Sequence, residues 1–290
     1  MMVAGLSVVI FGTGVLFLTF GRGSLAERGR DKLKRTRRAA ELGWLTLTGR
    51  RIDVGGYRLH LECSGRGDVT VVMDTGLNMP AETWNDVPRE LAKFTKVCVY
   101  DRAGLGDSDP GPQPRTSQLI VNELHVALLK AGVRGPYVLA GHSFGGLDVR
   151  LFASEYPKDV GGLVLIDASH EDQYERLASL LPPADREKYL RHEGGGNTER
   201  VNILASAKQV HDAPLPDIPL IVLSAGQAGP NTTPEAQKVH DELQASLVHL
   251  TSQGRQIIAE RSTHFIQQQQ PELVVEAVRE VIAKCQARAH

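Results

Sequence analysis

The sequence contains few cysteines and few aromatic residues, and it has no excess of charge of either sign. Three cysteines among 290 residues exclude a disulfide-dense scaffold, and their odd number indicates neither a disulfide nor a metal site. We interpret Cys98 as a small core residue, because it lies in an apolar, strand-like run. A net charge of -1 excludes the basic excess typical of nucleic-acid-binding proteins. With 41% hydrophobic and 23% charged residues, the composition is that of an ordinary globular protein.

One long uncharged run stands near the N-terminus. Residues 3–20 are apolar enough and long enough to cross a bilayer, so we predict a transmembrane anchor at 1–20 and a basic spacer at 21–48. Because the basic residues follow the span, the positive-inside rule places the rest of the chain on the cytoplasmic side of the membrane. The alternative is a signal peptide for export, although no basic segment precedes the run and no clear cleavage site follows it. The basic residues are Arg22, Arg28, Arg30, Lys32, Lys34, Arg35, Arg37 and Arg38.

Beyond residue 48, strand-like and helix-like segments alternate, and this predicts one α/β domain at 49–290. Residues 51–63 alternate in polarity around Gly55-Gly56, which is typical of a hairpin at the sheet edge. Six short apolar runs predict strands buried on both faces, so that the chain forms a mostly parallel, doubly wound sheet of about eight strands. These runs are 69–73, 96–100, 137–141, 162–167, 220–224 and 255–260, and the clearest helices are 117–131, 144–156 and 271–284.

Residues 169–217 separate the fourth and fifth of these apolar runs. The segment is too long for a plain loop, and it contains helical patterns near 171–181 and 184–192, broken by Pro182-Pro183 and by three glycines at 194–196. We therefore predict a small helical cap over the end of the sheet.

The strongest chemical signal is Gly141-His142-Ser143-Phe144-Gly145, which follows an apolar strand and precedes a helical segment. A serine with one glycine two residues before it and another two residues after it is typical of a strained strand-to-helix turn. Such a turn exposes the serine oxygen at the end of a sheet. The backbone N–H of Phe144 then points to where an oxyanion forms. We interpret Ser143 as a nucleophile and expect the side chain of His142 to point away from it.

Together with Tyr100-Asp101-Arg102-Ala103-Gly104-Leu105-Gly106-Asp107-Ser108 and a late histidine, this motif resembles the α/β-hydrolase superfamily. From about residue 53 to the end, the chain is similar to single-domain, esterase-like serine hydrolases of that superfamily. The resemblance implies a structural part for Asp101 and Arg102, as an ion pair or loop brace. It implies no cofactor and no metal.

A serine hydroxyl needs a base that accepts its proton. His264 follows the last apolar strand, where this superfamily has its catalytic histidine, and the order serine, acid, histidine is preserved. His170 is the main alternative, while His60, His125 and His211 are interpreted as surface or packing residues.

The acid is less evident, because the segment after 220–224 lacks the aspartate that many members of the superfamily have there. Asp167 ends the strand at 162–167, where some members have their acid, and we predict that it orients His264. Asp172, Glu235 and Asp241 remain alternatives.

The second oxyanion donor in this superfamily comes from the loop after the first parallel strand, which here is Asp74-Thr75-Gly76-Leu77-Asn78. We predict the N–H of Leu77 as the partner of Phe144, with Asn78 either a further donor or a solvent-facing residue.

These residues predict a serine hydrolase that cleaves an ester or related acyl bond of a small molecule, with a carboxylesterase as the default. An aminopeptidase, a lactonase, a thioesterase or an acyltransferase would use the same residues, and a non-catalytic small-molecule-binding member is the alternative of another class. The sequence indicates no oligomeric state.

Overall fold

The computed structural model describes residues 49–190 and 198–288. The predicted membrane anchor at 1–20, the basic spacer and the glycine run of the predicted cap lie outside these residues. Within the described ranges, no helix is both long and apolar enough to cross a membrane.

The domain is built on one eight-stranded sheet with the order β1-β2-β4-β3-β5-β6-β7-β8. The β1–β2 and β2–β4 pairs are antiparallel, and all the other pairs are parallel. The prediction of a mostly parallel sheet of eight strands, with a hairpin at its edge, is therefore confirmed. The strands are β1 Arg50–Asp53, β2 Arg58–Ser64, β3 Thr70–Asp74, β4 Lys96–Tyr100, β5 Tyr137–His142, β6 Val160–Ile166, β7 Leu220–Ala225 and β8 Gly254–Ala259.

Helices cover both faces of the sheet, as the buried apolar strands require. They are α1 Val87–Ala92, α2 Ser117–Ala131, α3 Gly145–Glu155, α4 Gln173–Ser179, α5 Pro183–Leu190, α6 Ile203–His211, α7 Pro234–Ser246, α8 Ile266–Gln269 and α9 Pro271–Ala287, with short 3-10 turns at Ala81–Trp84 and Leu247–Leu250. The bounds of α2 match the prediction because Ile120, Leu124 and Leu128 repeat at helical spacing, and because Gly132, at φ 70°, ends the helix.

Two apolar layers flank the sheet. Helices α1 and α9 bury one layer, which includes Val87, Leu91 and Val278, while α2 and α3 bury the other. The parallel strands end at a common edge, and open α/β sheets bind their ligands at this edge. The residues that follow β3, β5, β6 and β8 therefore meet there.

The cap between β6 and β7 contains α4, α5 and a third helix, α6, that the sequence patterns did not predict. Helix α4 packs against α7, with Leu177 contacting an apolar face made of Ala236, Val239 and Leu243. Helix α7 was not predicted either, and it brings residues of the segment after β7 under the cap.

The interpretation of the cysteines was wrong in one respect. Cys98 is buried in β4 as expected, but it forms a disulfide with Cys63, the residue directly opposite it in β2. The two Cα atoms are 4.1 Å apart although 35 positions separate the residues in the chain. Only the antiparallel pairing of β2 with β4 brings the two thiols together, and neither their spacing nor their number indicates it.

Candidate active site

Ser143 lies at the turn between β5 and α3, and its backbone is strained. Its φ is 51°, a left-handed conformation that is uncommon for a residue with a side chain. The turn is held in place because the Ser143 N–H donates to the Ile166 carbonyl over 3.1 Å and the Ser143 carbonyl accepts from the Ser169 N–H over 2.9 Å. The sequence prediction of a strand, a sharp turn and a helix is confirmed.

The glycine two residues after Ser143 allows the backbone to approach the loop after β3. A Cβ at Gly145 would lie 2.6 Å from the carbonyl oxygens of Asp74 and Thr75, so no other residue fits there without a shift. The Gly145 N–H donates to the Thr75 carbonyl over 3.1 Å. This contact fixes the start of α3, and with it the N–H of Phe144, against the loop that carries Leu77.

Asp167 and His264 form a hydrogen-bonded pair at the same edge of the sheet. Nδ1 of His264 lies 2.6 Å from Oδ2 of Asp167, and the Asp167 side chain is almost fully buried. The backbone N–H of Ala225 donates to Oδ1 over 2.9 Å. Of the predicted residues, the structure therefore brings together the preferred base and the preferred acid.

The alternatives for these two positions lie elsewhere. His170 accepts a hydrogen bond at Nδ1 from the Asp172 N–H over 3.0 Å. Asp241 accepts from the Gln237 side chain over 2.7 Å, and Glu235 is exposed in the first turn of α7.

A second histidine contacts the carboxylate of Asp167. Nε2 of His240, from α7, lies 3.0 Å from Oδ1 of Asp167. Burial by itself raises the pKa of Asp167, but the two imidazoles, with His240 the larger contributor, outweigh burial and hold that pKa below its ordinary value. His240 was not among the residues predicted from the sequence. The sequence does contain a signal for this residue, because its spacing from Ala236 and Leu243 places all three on one face of a helix.

His142, next to Ser143, supports the loop of His264. Its Nε2 lies 2.9 Å from the His264 carbonyl oxygen, and the two rings pack with centroids 4.7 Å apart. Burial, and then the charge of His264, lower the pKa of His142 to about 3, so the ring is neutral and donates from Nε2. His142 thus joins the elbow to the loop after β8.

Arg102 holds the loop after β3, as the structural interpretation of this residue predicts. Its buried guanidinium donates to Oδ1 of Asp74 over 2.6 Å, and to the carbonyl oxygens of Thr75 and Gly76 over 2.7 Å and 2.6 Å. It also donates to both carboxylate oxygens of Glu199, over 2.8 Å and 2.9 Å. Glu199 comes from the cap and was not among the residues predicted from the sequence.

The loop after β3 is also tied to the cap through Asn78. Its side-chain oxygen accepts hydrogen bonds from the Thr198 hydroxyl and the Glu199 N–H over 2.8 Å and 3.0 Å, and its own N–H donates to Glu199. Asn78 is therefore not a solvent-facing residue, because its side chain bonds to the cap. Asp101 accepts from the Ala81 N–H over 2.8 Å and contacts His60, which makes it the loop brace that was predicted.

Arg102 and the carboxylates of Asp74 and Glu199 form a buried charged cluster. Asp148, in the first turn of α3, adds a third buried carboxyl group to it. Burial raises the pKa of Asp148 well above its ordinary value, and the negative charge of Asp74 raises it further. The native state therefore keeps a proton that the unfolded chain loses above about pH 4.

This proton makes the stability depend on pH in a defined direction. Between the unfolded and native pKa values the native state binds one more proton, so the free energy of unfolding falls by up to about 1.4 kcal/mol per pH unit as pH rises. In Asp148→Asn this contribution is absent. We expect the variant to gain stability relative to the wild type as pH increases from about 4, measured by urea unfolding at several pH values. A constant difference between the two proteins would contradict the protonated state of Asp148.

No group of three or more histidine, cysteine, aspartate or glutamate residues among those described has an arrangement suited to a metal ion. The fold and the elbow define the class of protein, an α/β hydrolase. The model of the alpha/beta hydrolase family matches residues 71–277, and the chain belongs to this family.

Three similar proteins illustrate the relationship. YqjL of Bacillus subtilis is 30% identical over 230 residues, which are 78% of this chain and 88% of that protein. The crystal structure of Cfl2 from Burkholderia cenocepacia has a TM-score of 0.59 at 22% identity and covers 81% of this chain and 96% of that one. A thermophilic esterase from Thermogutta terrifontis has a TM-score of 0.56 at 20% identity, covering 83% of this chain and 98% of its own. At this identity the structural matches show the fold, and the family match supports a hydrolase.

Proposed function

We propose that this protein is a serine hydrolase that cleaves an ester bond of a small molecule through an acyl-enzyme on Ser143. The observation that carries the proposal is the 2.6 Å contact between His264 and Asp167, at the sheet edge where the elbow holds Ser143. A serine, an imidazole and a buried carboxylate in this order are the groups that acyl transfer requires.

In the proposed reaction, His264 takes the proton of the Ser143 hydroxyl as its oxygen attacks the ester carbonyl. The tetrahedral intermediate collapses, the alcohol leaves with the proton from His264, and the acyl group remains on the serine. Water, deprotonated by His264, then attacks the acyl group. The bond to the Ser143 oxygen breaks, His264 returns the proton to that oxygen, and the acid leaves. Asp167 holds the imidazole with its proton on Nδ1 and stabilises the imidazolium.

The oxyanion of the intermediate is stabilised by the backbone N–H groups of Phe144 and Leu77. Two features support these donors: Phe144 stands at the N-terminus of α3, and Gly76 approaches Ser143 so closely that a Cβ at Gly76 would lie 3.2 Å from the Ser143 Cβ. Arg102 and Glu199 keep the loop in this position.

A fluorophosphonate probe tests the proposal directly, because an activated serine oxygen displaces fluoride and forms a bond to phosphorus. We expect mass spectrometry to find one phosphonyl group on Ser143 when the folded protein is treated with the probe. Protein that is heat-denatured before the treatment should carry none. A screen of esters of increasing acyl length, lactones and aminoacyl amides then identifies the substrate class. A folded wild-type protein that the probe does not label would overturn the proposal, and turnover of amides alone would replace the esterase with a peptidase.

Membrane attachment through residues 1–20 stays a prediction. The Cys63–Cys98 disulfide bears on the orientation of the domain, because disulfides persist in oxidising compartments and are rare in the cytoplasm. The disulfide supports the export alternative over a domain on the cytoplasmic side.

A further inference from the structure

The carboxylate of Asp167 is shared by two imidazoles. His264 contacts Oδ2 over 2.6 Å, and His240 contacts Oδ1 over 3.0 Å, where the Ala225 N–H also donates. A serine, a base and an acid account for acyl transfer, so the second histidine needs an explanation of its own.

His240 is built into the site by the packing of α7. Ala236, Val239 and Leu243 bury their side of the helix against α4, and this orients the His240 side chain toward Asp167 with only 12% of it exposed. The same side chain lines a cavity of about 40 Å³ together with Gln237 and His264. A cavity of this size admits water, through which an imidazole exchanges protons.

The charges around His240 favour its protonated form. Burial by itself lowers the pKa of His240, but the negative charge of Asp167 and its hydrogen bond outweigh burial and raise that pKa above its ordinary value. Asp241, on the exposed side of α7, adds a smaller contribution in the same direction. The charged and titratable groups on the elements packed around this residue are Asp167 and His264, then Glu235, Lys238, Asp241 and Glu242 on α7, and Tyr174, Glu175 and Arg176 on α4, with Arg176 paired to Glu242.

We propose that His240 is a positioning residue for the proposed hydrolysis: it fixes the Asp167 carboxylate for His264 and, when protonated, weakens His264 as a base. The inference rests on the proposed function of Ser143, His264 and Asp167. Helix α7 thereby influences how the rate of the proposed reaction depends on pH.

The two imidazoles compete for one negative charge. When His240 carries a proton, Asp167 is already neutralised, and a second proton on His264 adds a like charge on the other side of the same carboxylate. The two rings contact opposite oxygens of one carboxylate, over 3.0 Å and 2.6 Å, so positive charges on both rings repel each other. A protonated His240 therefore opposes the positive charge that His264 gains when it accepts a proton.

The test compares kcat/KM against pH for the wild type, His240→Gln and His240→Ala. The glutamine amide donates to Oδ1 without a charge, so we expect the acid limb of the profile to move to higher pH by about one unit while the plateau stays within about threefold of the wild type. Alanine also removes the hydrogen bond, and kcat should fall roughly tenfold or more with little change in KM. His249→Gln, at an exposed histidine just beyond α7, is the matched control and should keep the wild-type profile.

The outcomes separate this inference from the function on which it rests. A wild-type protein that neither turns over esters nor reacts with the fluorophosphonate overturns both. If the wild type is active but its kcat/KM profile has the same acid limb as that of His240→Gln, the charge effect is overturned. If kcat is unchanged in His240→Ala, the positioning effect is overturned. Imidazole ¹⁵N chemical shifts, recorded without substrate, give an independent readout, since a His240 that stays neutral at pH 6 contradicts the inference.

Discussion

Substitution of Asp167 by asparagine is expected to lower kcat/KM by about 10⁴-fold while the domain stays folded. The side chain keeps its shape, so this loss would come from the altered hydrogen-bond pattern and from the loss of the negative charge that stabilises the imidazolium. Steady-state kinetics with the best ester from the screen, together with circular dichroism to check the fold, measures the effect.

The Ala225 N–H decides which way the new amide faces. Because this N–H donates to Oδ1 over 2.9 Å, the asparagine oxygen is favoured on that side, and its NH₂ group then faces Nδ1 of His264. His264 must accept this hydrogen bond at Nδ1, so its proton moves to Nε2, the nitrogen that takes the proton of Ser143 in the proposed reaction. The base is then in the wrong tautomer.

The rival acids serve as controls. The Asp172 carboxylate lies 3.8 Å from Nδ1 of His170, and the Asp241 carboxylate accepts from the Gln237 side chain. Asp172→Asn and Asp241→Asn should both keep activity within about twofold, because neither carboxylate contacts His264. Full activity in Asp167→Asn would show that His264 takes its orientation from another group, and the segment after β7 would then have to supply the acid.

Replacement of Arg102 by methionine is expected to reduce the free energy of unfolding by about 3–5 kcal/mol. The guanidinium is fully buried and bonds to Asp74, to Glu199 and to two carbonyl oxygens of the loop after β3. Glu199 and Asp74 both raise the pKa of Arg102 against the effect of burial, so the side chain is charged in the native state. Without the guanidinium, the carboxylates of Asp74 and Glu199 remain buried with no positive charge beside them.

Urea unfolding at pH 7 measures this loss. The matched control is Arg255→Met, which breaks an exposed ion pair with Glu280 and should leave the free energy of unfolding nearly unchanged. If Arg102→Met does not fold, Glu199→Gln tests the same cluster from the cap side, where we expect a smaller loss of stability. A methionine variant as stable as the wild type would contradict the role of Arg102 as the central cation of this cluster.

The sequence predicted those parts of the fold and site that depend on local pattern. Short apolar runs indicate six buried strands whatever their partners are, and alternating polarity indicates the two strands of the edge hairpin, so all eight strands were located within a few residues. The glycines around Ser143 likewise indicate a strained turn, because the strain arises within five consecutive residues and depends on no distant partner. Helix α2 is defined by its own periodicity and by the glycine that ends it.

The pairing of distant residues was decided by the tertiary structure alone. Cys63 and Cys98 form a disulfide because β2 lies antiparallel beside β4, and no local pattern encodes that neighbour. Glu199 bonds to Arg102 because the cap folds back over the loop after β3. Asp167 was the preferred acid on its position alone, while the contact of His240 with it depends on how α7 packs beneath the cap. Hydrophobic periodicity records which face of an element is buried, but not which side chain it meets there.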